Sequence, residues 1–206
     1  IKDAGIIDNT IIIFTSDHGE MFGSHGRMKK NIFYEESIRV PFLIQWRDKL
    51  SSGLKLDTLL STVDIMPTIL GLVDVEIPKE VEGTDLSLAL RGKTIDEPLF
   101  AFLMNTGACA IWEDGHEWRA IRDKKYTYAV YRGSKDLPRK ELFFNNIDDP
   151  FQLNNLIDNS KYLTKINRFR GYLSDKMNQL NDEFPASSWY LKNWIQDRNI
   201  KRTATM

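Results

Sequence analysis

The chain has one cysteine, Cys109, among 206 residues, so no disulfide can form within it, and cysteine usage leaves the redox compartment open. Net charge is also scarce, with 28 Lys and Arg against 29 Asp and Glu leaving −1. Such a balance gives no basic field of the kind that draws nucleic acid or an anionic membrane surface, and neither partner is expected. No apolar run reaches the roughly 18–20 residues that span a bilayer. Repeats and low-complexity tracts are missing, as are an initiator methionine and a signal peptide ahead of Ile1-Lys2-Asp3-Ala4-Gly5. What is present is 42% hydrophobic and 28% charged residues, enough for a sizeable core in one or two domains.

The most telling junction follows Thr10-Ile11-Ile12-Ile13-Phe14-Thr15, a charge-free β-branched and aromatic run. It reads as a strand buried on both faces of a parallel sheet. A lone parallel strand needs neighbours, and Lys2 to Gly5 reads as the last turn of a helix with its glycine cap. The expectation is therefore a C-terminal piece of a longer protein. The run ends in Ser16-Asp17-His18-Gly19-Glu20, and ligands of open α/β sheets bind beyond such strand ends.

Residues 1–97 read as α/β and residues 98–206 as a second unit. A long loop from Gly19 to Lys30 precedes a helical turn near Phe33-Tyr34-Glu35-Glu36 and a strand from Val40 to Trp46, with Pro41 near its start. Asp64 is a suitable N-cap for a helix through Gly71 with Pro67 in its first turn, and Thr84 to Gly92 is a second short helix. Short strands are expected at 99–104, 108–112, 117–122, 126–131 and 141–144, with Asp123-Lys124-Lys125 as a hairpin connection, an antiparallel meander. Cys109, within the second of these, reads as a core thiol. Tyr162, Leu163, Ile166, Phe169, Leu173, Met177 and Leu180 share one helix face. A final segment from Ser187 to Arg198 holds Trp189 and Trp194, and residues 201–206 read as a frayed tail.

The groups able to do chemistry lie between Asp17 and Lys30. Asp17 offers hard anionic oxygens and His18 an imidazole, which Gly19 lets turn toward one divalent cation, with Glu20 as an orienting neighbour. His25 sits in a loop that can fold over the same place. A lysine, Lys29 or Lys30, beside a divalent cation suits a tetrahedral oxyanion, a sulfate or phosphate ester. Each feature also has a plain reading: a capped turn for Asp17-His18-Gly19, a solvated pair for Lys29-Lys30, a loop hydrogen bond for His25.

The stretch from Asp8 to Glu20 resembles the downstream metal-binding signature of the type I, formylglycine-dependent sulfatases of the alkaline-phosphatase-like superfamily. Gly23-Ser24-His25-Gly26, Lys30 to Pro41, Ser61 to Thr68, Glu117 to Arg122, Glu141 to Asn145, Asp149-Pro150 and Asn154-Asn155-Leu156 continue it in order, over about residues 1–180. The fold this implies is α/β: the C-terminal part of an alkaline-phosphatase-like sheet domain plus a small antiparallel sheet with a packed helix. By the resemblance Asp17 and His18 are ligands of the divalent cation, usually calcium, although many members carry Asn at the His18 position. Lys30 contacts the sulfate, His25 matches a substrate contact found in part of the family, and Lys29 keeps its solvated reading.

The family's nucleophile, a formylglycine made in a Cys/Ser-x-Pro-x-Arg motif, has no counterpart, since Cys109 is followed by Ala110-Ile111-Trp112. The paired upstream aspartates and the upstream His and Lys have none either, so the chain alone is expected to be inactive. The resemblance implies hydrolysis of a sulfate ester by the parent protein, with a sulfated small molecule or glycan as partner, in the bacterial periplasm or outside the cell, or in the lysosome of a eukaryote. Phosphodiester or phosphonate ester hydrolysis and a non-catalytic fold relative stay open. Trp112, Glu113, His116, Trp118 and Arg119 either line a sugar subsite or pack at a strand edge, and Arg119 and Arg122 read as surface ion pairs. Oligomeric state is not legible.

Overall fold

Ile11–Thr15 forms strand β1 and Phe42–Trp46 strand β2, the second starting just past Pro41, which has no N–H for a ladder. The computed structural model describes residues 1–107, 113–196 and 199–200, of which 196, 199 and 200 are described by backbone alone. Cys109, the strand expected at 108–112 and the tail at 201–206 lie outside these residues. The first strand departs from expectation: β1 pairs antiparallel with β2, Ile11 opposite Trp46 and Thr15 opposite Phe42. Nor is it covered on both faces, since Phe14 is 64% and Leu43 59% exposed. Apolar residues on both faces say that both ask for cover, and the described elements cover one. Residues 2–5 form a turn closed by the Gly5 N–H on the Lys2 carbonyl, not a helix.

Glu35–Ile38 is helix α1, Thr62–Leu72 helix α2 and Ser87–Leu90 helix α3. Helix α2 starts earlier than expected because Ser61, not Asp64, is its N-cap. Asp64 is the other half of a capping box, accepting from the Ser61 N–H at 2.7 Å and from the Thr84 N–H at 2.7 Å. Pro67 therefore lies inside α2 and not in its first turn. Helix α3 is a single turn, shorter than Thr84 to Gly92, because Asp85 turns the chain by accepting from the Ser87 N–H.

The second sheet is the expected meander. Strands β3 (Ala101–Asn105), β4 (Trp118–Arg122), β5 (Tyr126–Tyr131) and β6 (Lys140–Asn145) pair in that order, all antiparallel. Asp123 closes the β4–β5 turn, its carboxylate accepting from the Lys125 and Tyr126 amides. Helix α4 (Leu163–Gln179) lays Ile166, Phe169 and Leu173 on one face of this sheet, against Ile121, Tyr128, Val130 and Phe143. Leu163, expected on that stripe, is 53% exposed because it opens the helix. Helix α5 (Ser187–Trp194) is followed by two short paired strands, β7 (Ile195–Gln196) and β8 (Asn199–Ile200).

The opposite face of the sheet is covered from the N-terminal half. Met21, Ile32 and Phe33 pack on Trp118, Ala120, Ala129, Leu142 and Phe144. Phe33 is fully buried, its ring edge-on to Trp118 at 5.4 Å and to Tyr131 at 5.8 Å. Removing that ring forfeits its transfer energy and leaves a cavity. Phe33→Ala should therefore lower stability by about 3–5 kcal/mol in urea unfolding; a loss under about 1 kcal/mol would show that the loop is not anchored there.

Candidate functional site

Asp17 and His18 follow β1 directly, held at the sheet's rim through Gly19. The Gly19 N–H donates to the Ser37 carbonyl at 2.8 Å, and a Cβ at Gly19 would stand 1.9 Å from the Glu36 carbonyl oxygen, so only glycine admits this approach to α1. Around it the Ser16 hydroxyl donates to the His18 carbonyl at 2.8 Å, and the His18 N–H donates to Asp17 Oδ1 at 3.0 Å.

The two side chains meet. His18 Nδ1 lies 2.6 Å from the Gly19 carbonyl, which can only accept, so Nδ1 carries the hydrogen there and the neutral ring's lone pair is on Nε2. Nε2 in turn lies 3.3 Å from Asp17 Oδ2. Two donors bound to one cation at about 2.4 Å each and about a right angle would be about 3.4 Å apart. The pair thus has the spacing of two neighbouring ligands, with the outer atom of His fixed by a carbonyl behind it. Among the described residues no group of three or more His, Cys, Asp and Glu side chains is gathered as if around a cation, so this pair would fill only two of the six to eight positions a calcium ion takes.

Lys30 lies on the loop that runs on from Asp17 and His18, and that loop has an unusual backbone. Phe22, His25, Lys29 and Asn31 all have positive φ, between 44° and 74°. Each such non-glycine residue costs roughly 1–2 kcal/mol, so the surroundings must enforce the path. They do so at several points: the Met21 N–H donates to the Lys29 carbonyl at 2.8 Å, the Gly23 N–H to the Arg27 carbonyl at 2.8 Å, and the Trp118 indole N–H to the Asn31 carbonyl at 3.1 Å. The Lys30 side chain is exposed and has no ion pair or side-chain hydrogen bond among the described residues, and the same is true of Lys29. His25 lies flat on Tyr34, ring centroids 3.7 Å apart, with its Nε2 buried and unpartnered. As placed, His25 is packed into the loop.

Residues that sequence reasoning passed over do the holding. Glu35 forms a two-pronged ion pair with Arg122, at 2.7 and 2.9 Å, and its N–H donates to the Gln152 side chain at 2.8 Å. Gln152 donates to Asn146, which donates to Thr127 on β5. These partners lie 87 and 117 residues from Glu35, beyond any local signal. Arg119 and Arg122 are not surface pairs: Arg119 is fully buried, gripped by Asp182 and the Tyr190 hydroxyl. With Trp118 only 4% exposed as well, these two residues are closed to a sugar. Glu113 and His116 remain half exposed, 3.7 Å apart, and Trp112 lies outside the described residues.

The pattern of the family described as "N-sulphoglucosamine sulphohydrolase, C-terminal" matches residues 23–182. The chain belongs to the sulfatase family. It is 37% identical over 201 residues to the ulvan-active sulfatase of Formosa agariphila, covering 95% of this chain and 38% of that protein. It is 33% identical over 223 residues to the endo-4-O-sulfatase of Bacteroides thetaiotaomicron, covering 96% and 40%. The solved structure of BT4656 in complex with its substrate D-glucosamine-2-N,6-O-disulfate superposes with a TM-score of 0.79 at 26% identity, covering 89% of this chain and 37% of that one. A phosphonate monoester hydrolase of Agrobacterium radiobacter superposes at 0.75 and 25% identity, over 86% and 37%. The chain thus spans about two fifths of the length of these sulfatase relatives, and the α/β fold with its antiparallel C-terminal sheet is that of the family.

Slight burial pushes the Asp17 carboxyl up, but attraction to His18, the backbone amides and the Ser16 hydroxyl outweigh it and hold its pKa below the usual aspartate value. A carboxyl depressed in the folded state adds stability above its unfolded pKa, and that contribution is lost as pH falls through the folded value. The Asp17 side chain, followed by carbon-detected NMR, should titrate below the ordinary aspartate value of about 3.9 and move up toward it in His18→Ala, where the backbone amides and the Ser16 hydroxyl remain. A midpoint at or above that value in the unaltered chain would contradict the pairing.

Proposed function

We propose that these residues form the C-terminal part of an enzyme that hydrolyses sulfate esters of a sulfated carbohydrate. The match over residues 23–182, which contains both His25 and Lys30, carries this reading. The similarity to an ulvan-active sulfatase and an endo-4-O-sulfatase supports a glycan as substrate. Work on such polymers would suit an enzyme of the periplasm or of the space outside a bacterial cell; no helix among the described residues is long and apolar enough to cross a membrane.

Asp17 and His18 would hold a divalent cation, calcium by the family resemblance, whose charge draws the electrons of a bound sulfate oxygen when it is present. Its remaining ligands, and the formylglycine that the family uses as nucleophile, would come from outside these residues. Lys30 supplies an exposed ammonium, free of any carboxylate partner among the described residues, for the oxygens of the tetrahedral anion as charge builds on them. His18 keeps its ring fixed by the Gly19 carbonyl throughout, while His25, stacked on Tyr34 with its Nε2 buried, would help shape the loop that carries Lys30. Isolated, these residues would bind without turning over.

Phosphonate ester hydrolysis is the second reading, favoured by the Agrobacterium radiobacter likeness. In the full-length enzyme, Asp17→Ala and Lys30→Ala should each lower release of sulfate from an aryl sulfate and a sulfated monosaccharide by ~10²-fold or more. A chelator should have the same effect. Unchanged rates in both variants would remove the site assignment, and faster turnover of a phosphonate monoester than of any sulfate would favour the second reading.

A further inference from the structure

Asp17 lines a cleft of about 480 Å³ that three segments enclose. One is the rim of the first sheet, from Ser16 and Asp17 across to Arg39 and Val40. Another is the stretch of residues 56–62 that leads into α2. The third is the near end of the C-terminal sheet, with Ala101, Arg122 and Lys124.

Arg39 stands across the rim from Asp17. Thr15 is opposite Phe42 in the ladder, and the Gly19 N–H donates to the Ser37 carbonyl at 2.8 Å. Asp17 is midway between Thr15 and Gly19, and Arg39 and Val40 are midway between Ser37 and Phe42. The two stretches thus run side by side, at about the 4.8 Å spacing of paired strands.

The charges of the cleft are spent, except one. Arg122 donates through Nε and Nη2 to Glu35 at 2.7 and 2.9 Å, and through Nη1 to the Asp123 carbonyl at 2.9 Å. Lys124 Nζ lies 2.7 Å from Glu97 and 3.6 Å from Asp57, so the second carboxylate lining the cleft is answered too. Asp17 faces His18. Arg39 has Glu35 Oε2 at 3.9 Å, and that oxygen already accepts from Arg122 Nη2. The Arg39 guanidinium makes no hydrogen bond among the described residues, and its side chain is 76% exposed. A planar fork of N–H donors in that state suits two-point capture of an oxyanion. Space allows more than the reacting group: pockets of about 300–1,000 Å³ hold whole small ligands, so the cleft can take a sugar unit beside Asp17.

We propose that Arg39 sets substrate specificity by taking a second anionic group, a sulfate or a carboxylate on the sugar next to the one being desulfated. The proposal rests on the sulfated-glycan reading and adds that the substrate carries at least two anions. The test is calorimetric titration of the full-length enzyme with its nucleophile replaced by alanine, so that turnover does not enter, and of the same protein with Arg39→Ala or Arg39→Lys. Three probes are compared: a monosulfated monosaccharide, a disaccharide that adds a second sulfate, and a disaccharide that adds a uronate. One or both disaccharides should bind about 10-fold tighter than the monosaccharide, an advantage that Arg39→Ala removes and Arg39→Lys keeps in part. Which disaccharide gains tells sulfate from carboxylate. A monosaccharide that fails to bind at all sinks the sulfated-glycan reading and this proposal with it. A monosaccharide that binds, with no gain from a second anion, a gain that survives Arg39→Ala, or equal weakening of all three probes, overturns the proposal alone.

Discussion

Glu35 is the residue on which the arrangement turns. It opens a four-residue helix, too short to hold itself, that is pinned from both sides. Toward the C-terminal sheet its carboxylate grips Arg122 and its N–H meets Gln152. Toward the first sheet the Ser37 carbonyl of the same helix accepts from the N–H of Gly19, the residue next to His18, and the Glu36 carbonyl packs against it where no Cβ fits. A metal-type pair on one sheet is thereby fixed relative to a lysine loop bound to the other. Phe33 supplies the apolar contact beneath, and the Trp118 indole the hydrogen bond above.

Both arginine pairs in the C-terminal sheet are withdrawn from water, and such pairs often contribute little net stability compared with apolar replacements. Their service here is geometric: a planar guanidinium accepts only one approach from a carboxylate, so Glu35 and Asp182 each set the position of the segment that carries them. The same surroundings sustain four left-handed non-glycine residues within ten positions, between Phe22 and Asn31. A free loop would relax that path, and the cost is consistent with a segment shaped for a site.

Much of this could be read from the residues. The polar break at Asp17-His18 after a charge-free run located the candidate site, the spacing from Ile166 to Leu173 found the buried stripe of α4, and close turn signals gave the meander. Other features could not be read locally. Ile12 and Phe14 made β1 look covered on both faces, but apolarity records a need for cover without saying which segment provides it. Trp118 and Arg119 looked like edge residues because the sheet carries a helix on one face and the lysine loop on the other, so β4 lacks polar alternation. The ties from Glu35 to Arg122 and Gln152 join segments far apart in the chain, where single-sequence patterns carry no signal.

The most direct test is a crystal structure of the full-length enzyme with calcium and a tetrahedral oxyanion. The account predicts the cation on Asp17 and His18 Nε2, and the anion within hydrogen-bond reach of both that cation and Lys30 Nζ, with Glu35 still on Arg122. A cation bound elsewhere, or a Lys30 ammonium turned away from the anion, would contradict it.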